Sequence, residues 1–151
     1  MNDTQEHYVD ILQNLIAVCR DGQKGYQDAA AHVQAHELKA FFNEQGLLRA
    51  QFAGQLEQES QRLGEHDPKR DGSVSGALHR AWFDLKAKLG GGDHAVLESV
   101  EAGEDRAKDA YEKAVTADLP ENLRKTVQQQ YQQVLTAHDR VRSLRDHFKA
   151  A

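Results

Sequence analysis

The chain has 151 residues, of which 39% are apolar and 28% charged, with a formal net charge of -5 and a single cysteine. This length suits one domain, residues 1–151, with one hydrophobic core. The acidic balance argues against a nucleic-acid or membrane-surface partner, because both need a basic patch. A lone cysteine excludes an intrachain disulfide framework and a cysteine-based zinc site.

The first predicted element is a long amphipathic helix. Apolar side chains recur every three or four residues from position 8 to position 33, which is the spacing of one helix face. We therefore predict a helix over about residues 4–34, opened by Asp3 and Glu6 as a capping pair. Gly22 lies inside it, at a cost of up to about 1 kcal/mol relative to alanine, so we expect it to make room for a neighbouring side chain.

A second apolar stripe runs from Leu38 to Leu63 and is out of step with the first. The phase changes near Ala35 and His36, so two antiparallel helices explain the pattern better than one long rod. Residues 64–72 contain Pro68 and several charges, which predicts a loop.

A shorter helix is predicted between the two halves of the chain. Ser73 or Ser75 can cap it, and the glycine run at 90–92 stops it. Trp82 and Phe83 are adjacent in it, so they point in different directions and only one of them reaches the core. We therefore expect this crossover helix to form the interface of a homodimer.

Two more long helices complete the prediction. Asp93 can cap one that runs to about Ala117, and Pro120 begins another that ends near Phe148. Short first and third connections make antiparallel hairpins, whereas the second connection carries the extra helix. The predicted fold is an all-α, ferritin-like four-helix bundle with a helical crossover between the second and third long helices.

Three stretches of the sequence carry a resemblance to a known family. They are Glu101 to Asp105 followed by Tyr111, Leu78 to Lys86, and His138 to Leu144. Over nearly its whole length the chain resembles an uncharacterised bacterial family of ferritin-like four-helix-bundle proteins, the DUF2383 type. The resemblance implies the fold but no activity, since the family is one of unknown function.

Glu104 is the residue that most needs a chemical explanation. Its helix places it at the centre of the apolar face formed by Leu97, Val100, Ala107 and Tyr111. A buried carboxylate needs a partner, so Glu104 is a metal ligand, half of a buried ion pair, or a group that carries a proton.

The metal hypothesis joins Glu101 and Glu104 to His138 on the last helix, as ligands for iron, manganese or zinc. Glu98 lies one turn before Glu101, but its phase points it away from the core. Di-iron bundles carry a Glu-x-x-His pair on each of two helices. No Glu or Asp in this sequence has a His three positions later, which argues against ferroxidase and oxygenase chemistry.

The ion-pair hypothesis joins Glu104 to Arg49, which is predicted at the same depth in the bundle. A cation there repels a divalent metal, so we prefer this alternative. Arg49 would hold the carboxylate in a two-point hydrogen bond, Gln45 or Gln130 would complete it, and Gly22 would leave space for the long side chain.

The remaining reactive side chains suggest little chemistry. Cys19 is predicted to point inward as an inert core thiol. His32 and His36 have a spacing that can bind zinc or nickel, but they fall at the predicted turn and are expected to be merely exposed.

We therefore expect a non-enzymatic structural or interaction protein that needs no cofactor, related to stress physiology by analogy of fold. The alternative is a metal-binding bundle with a degenerate carboxylate and histidine site. The polar start of the sequence and its lack of a long apolar stretch predict a cytoplasmic protein that is neither exported nor inserted in a membrane.

Overall fold

The computed structural model of the chain describes residues 2–65 and 92–149. These residues form four α-helices: α1, Asp3–His32; α2, His36–Arg62; α3, Gly92–Thr116; and α4, Glu121–Lys149. The described residues contain no strand, so the all-α prediction is confirmed, and the bounds of the long helices agree with the predicted ones to within a few residues. The predicted crossover helix, with Trp82 and Phe83, lies outside the described residues.

The start of α1 differs from the prediction by one residue. Asn2 caps the helix, because its side chain accepts a hydrogen bond from the Gln5 amide at 2.8 Å while the Asn2 amide donates to the Gln5 side chain at 3.1 Å. The predicted pair of Asp3 and Glu6 was therefore wrong. Both residues lie instead in the first turn, where negative charge favours the helix dipole.

The break between α1 and α2 is at residues 33–35, as the change of phase indicated. This turn contains no glycine or proline, and a distant carboxylate holds it. Asp93, near the start of α3, accepts hydrogen bonds from the amides of Gln34 and Ala35 at 2.7 and 2.9 Å. Asp93 was predicted to cap its own helix, but α3 begins one residue earlier, at Gly92. The Asp93 side chain instead bonds the turn between α1 and α2.

Contacts between the helices give their relative directions. Gln13, early in α1, bonds Ser60, late in α2, so these helices are antiparallel. Asp93, at the start of α3, meets the residues after α1, whereas Tyr111, late in α3, reaches back to Cys19, so α3 is antiparallel to α1.

Glu101 contacts Arg145 and Tyr111 bonds Gln130, so α3 is also antiparallel to α4. Because α2 and α3 are each antiparallel to α1, they are parallel to one another. Helix α1 packs on both of them, and α4 packs on α3 and over a small area on α2, so α2 and α3 lie diagonally across the bundle.

The core follows the inward faces of all four helices. Its fully buried apolar members come from every helix and include Leu12, Leu15, Phe42, Leu56, Leu97, Val100, Val127, Val134 and Val141. Polar side chains are buried among them: Gln13, Arg49, Ser60, Ser99, Glu104, Gln130 and His138. None of the helices that the structure describes is both long and apolar enough to cross a membrane.

The contact between Asp93 and the turn can be tested by mutation. Asp93→Ala should lower the free energy of unfolding by about 1 to 3 kcal/mol, because two backbone amides lose a charged acceptor. Asp109→Ala, which removes an exposed carboxylate from the same helix, is the matched control and should stay within about 0.5 kcal/mol of the parent. Urea unfolding followed by circular dichroism measures both variants. Equal stability of the two would show that the hydrogen bonds of Asp93 do not stabilise the turn.

Candidate functional site

Arg49 and Glu104 form an ion pair at the centre of the bundle. Nη2 of Arg49 donates to Oε2 of Glu104 at 2.6 Å, and the two side chains are 1% and 0% exposed. Burial is the largest single influence on the pKa of Arg49 and lowers it, but the charge of Glu104, the neighbouring Tyr26 and the hydrogen bond to Glu104 together raise that pKa above its ordinary value. The predicted pair is thus present, and it joins the diagonal helices α2 and α3.

The arginine is fitted to its surroundings by two residues of α1. A Cβ atom at Gly22 would lie 3.1 Å from Nη1 of Arg49, so only glycine leaves the guanidinium its full space, as predicted. The guanidinium carbon lies 5.5 Å from the centre of the Tyr26 ring, at cation–π distance. The expected two-point hydrogen bond was wrong, because Nε and Nη1 have no acceptor within the described residues.

Tyr26 lies beside the ion pair, and its phenol responds to the buried charge. Burial, and then the charge of Glu104, raise the pKa of the phenol well above the ordinary value. Tyr26 is therefore protonated at neutral pH. Gln130, which was a candidate to complete the hydrogen bonding of Glu104, has other partners.

A second chain of buried hydrogen bonds runs from Cys19 across the bundle. The Tyr111 hydroxyl donates to Oε1 of Gln130 at 2.7 Å and lies 3.0 Å from the Cys19 sulfur. Gln130 donates in turn to the Phe52 carbonyl at 3.3 Å and to the Gln55 side chain at 2.8 Å. Since the single hydroxyl hydrogen goes to Gln130, the thiol is the donor to Tyr111. This chain touches all four helices.

The environment of Cys19 keeps the thiol protonated. Burial raises its pKa to about 11, although the hydrogen bond with Tyr111 and the charge of Arg49 act in the opposite direction. Because the thiolate is the reactive form of cysteine, this position favours an inert thiol.

The three predicted metal ligands have separate partners. Glu101 contacts Arg145, Glu104 is held by Arg49, and Nε2 of His138 lies 2.6 Å from the Asp105 carboxylate. Within residues 2–65 and 92–149, no group of three His, Cys, Asp or Glu side chains is arranged to hold a metal ion. The bundle therefore brings together charge pairs rather than the predicted ligand set.

The weaker candidates lie at the surface. Glu98 is exposed and its carboxylate lies 3.2 Å from the His94 ring, one turn earlier on α3. His32 and His36 are exposed, and the ring of His32 contacts the carbonyl of Asp28 at 2.7 Å.

Sequence reasoning missed the phenol groups of the site. Helical spacing predicts that the rings of Tyr26 and Tyr111 are buried, but it does not show what their hydroxyl groups touch. It also missed the buried pair of Gln13 and Ser60, whose side chains bond at 3.0 Å. A signal for that pair was present, since Gln13 interrupts an apolar stretch at an inward position.

The Arg49–Glu104 pair makes a prediction for stability. Arg49→Met should lower the free energy of unfolding by about 3 to 5 kcal/mol, because Glu104 then stays buried without its cation. Adding Glu104→Leu should restore most of the loss, since a neutral pair needs no partner. Urea unfolding measures each variant, with the exposed Arg62→Met as a control expected to cost less than about 1 kcal/mol. If Arg49→Met were no more harmful than Arg62→Met, the pair would not stabilise the fold.

The buried thiol predicts a loss of stability at alkaline pH. The pKa of Cys19 is about 11 in the fold against 9.0 ordinarily, so above about pH 9 the unfolded chain releases a proton that the fold retains. The contribution of the thiol to the free energy of unfolding is complete below about pH 9. It is lost as pH rises toward 11, by up to about 1.4 kcal/mol per pH unit. The raised pKa values of Tyr26 and Tyr111 extend the loss to higher pH.

Urea unfolding at several pH values between about 7.5 and 10.5 measures this effect. Cys19→Ala should show a smaller fall in stability than the parent between about pH 9 and 10, where the Cys19 thiol titrates in the unfolded parent and is absent from the variant. Parallel pH profiles for the two proteins would contradict the assignment.

A known family model matches most of the chain. The family described as a domain of unknown function, DUF2383, matches residues 7–117. The match includes Arg49 and Glu104, whereas α4, with Gln130 and His138, lies beyond it. No curated protein matches the sequence. Because the match extends over more than half of its length, the chain belongs to the DUF2383 family of domains of unknown function.

Proposed function

We propose that this protein is a non-enzymatic structural or interaction module that acts through its outer surfaces. The observation that carries the proposal is the Arg49–Glu104 pair. Di-iron bundles place carboxylate ligands in the bundle core. Here the central carboxylate lies 2.6 Å from a guanidinium, so its charge is neutralised by the chain itself.

The directions of the helices support a ferritin-like bundle with a crossover. The hairpin of α1 and α2 packs beside the hairpin of α3 and α4, and α2 and α3 are parallel. Asp93 lies at the turn that opens α2, so α3 begins at the end of the bundle opposite to the end of α2. Residues 63–91 connect those two ends, as the long connection of a ferritin-like fold does.

Electrostatics argue against a metal at the centre. The guanidinium of Arg49 is a permanent charge, and its raised pKa excludes deprotonation. A divalent ion near Glu104 would meet this cation at short range in a medium that screens charges poorly. Glu101 is neutralised in the same way, by Arg142 at 3.6 Å and by Arg145.

The second candidate is a protein that binds iron, manganese or zinc through Glu101, Glu104 and His138. The observation in its favour is His138, a buried histidine with its Nε2 atom 2.6 Å from the Asp105 carboxylate. Imidazole and carboxylate are both metal ligands. This function would require Glu101, Glu104 and His138 all to leave their present partners.

The biological setting is also a proposal. We propose a bacterial, cytoplasmic protein that forms a homodimer through the crossover helix near Trp82 and Phe83, and that serves in stress physiology as other ferritin-like proteins do. The net charge of -5 favours a protein partner over nucleic acid or an anionic membrane surface.

Metal analysis of the purified, untagged protein separates the two candidates. The protein is incubated with Fe²⁺, Mn²⁺ or Zn²⁺, passed through gel filtration, and its metal content is measured by plasma mass spectrometry. We expect far less than one ion per chain, and the same value for Glu104→Gln and His138→Ala. One ion per chain in the parent that both variants lose would overturn the proposal and favour the metal-binding function.

A further inference from the structure

The described helices form two units of consecutive sequence. Hairpin one is α1 and α2, joined by residues 33–35; hairpin two is α3 and α4, joined by residues 117–120. The most extensive helix contacts lie within the hairpins, between α1 and α2 and between α3 and α4. Each unit also has its own buried polar bond, Gln13 with Ser60 in hairpin one and Tyr111 with Gln130 in hairpin two.

The interface between the hairpins carries opposite buried charges. Hairpin one contributes Arg49 and hairpin two contributes Glu104, with exposures of 1% and 0%. Two copies of hairpin one would bring two arginines to the centre, and two copies of hairpin two would bring two carboxylates. Like charges in a buried interface are strongly unfavourable, so the pair selects hairpin one with hairpin two.

Further matched groups extend this selection along the interface. At one end Asp93 of hairpin two accepts hydrogen bonds from the Gln34 and Ala35 amides of hairpin one. Beyond the central ion pair, the Cys19 thiol meets the Tyr111 hydroxyl, 3.0 Å away. Donors therefore face acceptors at several levels, which sets the register as well as the identity of the two partners.

We propose that the face of each hairpin is a recognition surface for the complementary hairpin, and that it accepts this hairpin from a second copy of the chain as well as from its own. All contacts described above are noncovalent, and residues 63–91 provide the one covalent link between the units. The same contacts can therefore form within one chain or between two. In the exchanged dimer Arg49 of each copy pairs with Glu104 of the other. This inference goes beyond the proposed function and does not depend on the crossover helix as an interface.

Charge reversal tests the proposal in the full-length protein. Arg49→Glu places two carboxylates at the centre of an unexchanged bundle, and Glu104→Arg places two arginines there. In an exchanged dimer containing one of each, one bundle has the native pair and the other has the reversed pair, so both are matched. No unexchanged arrangement of these two variants is matched.

The two variants are isotopically distinguished, unfolded together and refolded by dilution. Refolded separately, each should melt about 10 °C or more below the parent. The mixture should give a dimer with one chain of each kind by native mass spectrometry. It should melt within a few degrees of the double variant Arg49→Glu with Glu104→Arg, which carries the reversed pair in a single chain.

A neutral pair keeps the test decisive if the reversed charges do not fit the site. Arg49→Met mixed with Glu104→Leu gives an exchanged dimer with one native and one uncharged centre, and the double variant is again the reference. A mixture that melts like its separate components, in both the charged and the neutral series, overturns the proposal. Mixed dimers without thermal rescue overturn it too, because association through any surface other than the hairpin faces leaves the mismatched centres unchanged.

Discussion

The ion pair between Arg49 and Glu104 is the interaction on which the bundle depends. Each charge alone would cost several kcal/mol to bury, so the core is stable only when the two meet. They belong to diagonal helices, and α2 and α3 must therefore keep one axial register. Gly22 leaves the arginine its space, and the Tyr26 ring lies at cation–π distance from the guanidinium. A single pair thus constrains residues on three helices.

The second polar chain extends this constraint to the fourth helix. Gln130 connects α4 to Tyr111 on α3 and to Gln55 on α2, and Tyr111 reaches Cys19 on α1. Each of these bonds satisfies a polar group that an apolar core would otherwise destabilise. An interior whose charged and polar groups face one another supports our proposal that the protein functions through its surfaces. It also makes the two hairpins specific for each other, which is the basis of the proposed exchange.

Much of the fold could be predicted because helical periodicity is a local property. The apolar stripes located four long helices, and their loss of phase located the turn at residues 33–35 without a glycine or proline. Capping was less predictable. A shift of one residue moved the cap of α1 to Asn2, and Asp93 bonds the distant amides of Gln34 and Ala35. The best acceptor for a free amide is chosen by what folding brings near it.

The sequence by itself determined that Glu104 points inward, that Arg49 lies at its depth, and that Gly22 can accommodate the arginine. The tertiary structure alone decided that the Tyr26 ring lies against Arg49, that Gln130 bonds Tyr111 rather than Glu104, and that the His138 ring meets Asp105. The reason is geometric: helical period specifies the angle of a side chain about its own axis. Which atoms it meets depends on the offset and tilt of the neighbouring helices, and those are set by the packing of the whole core.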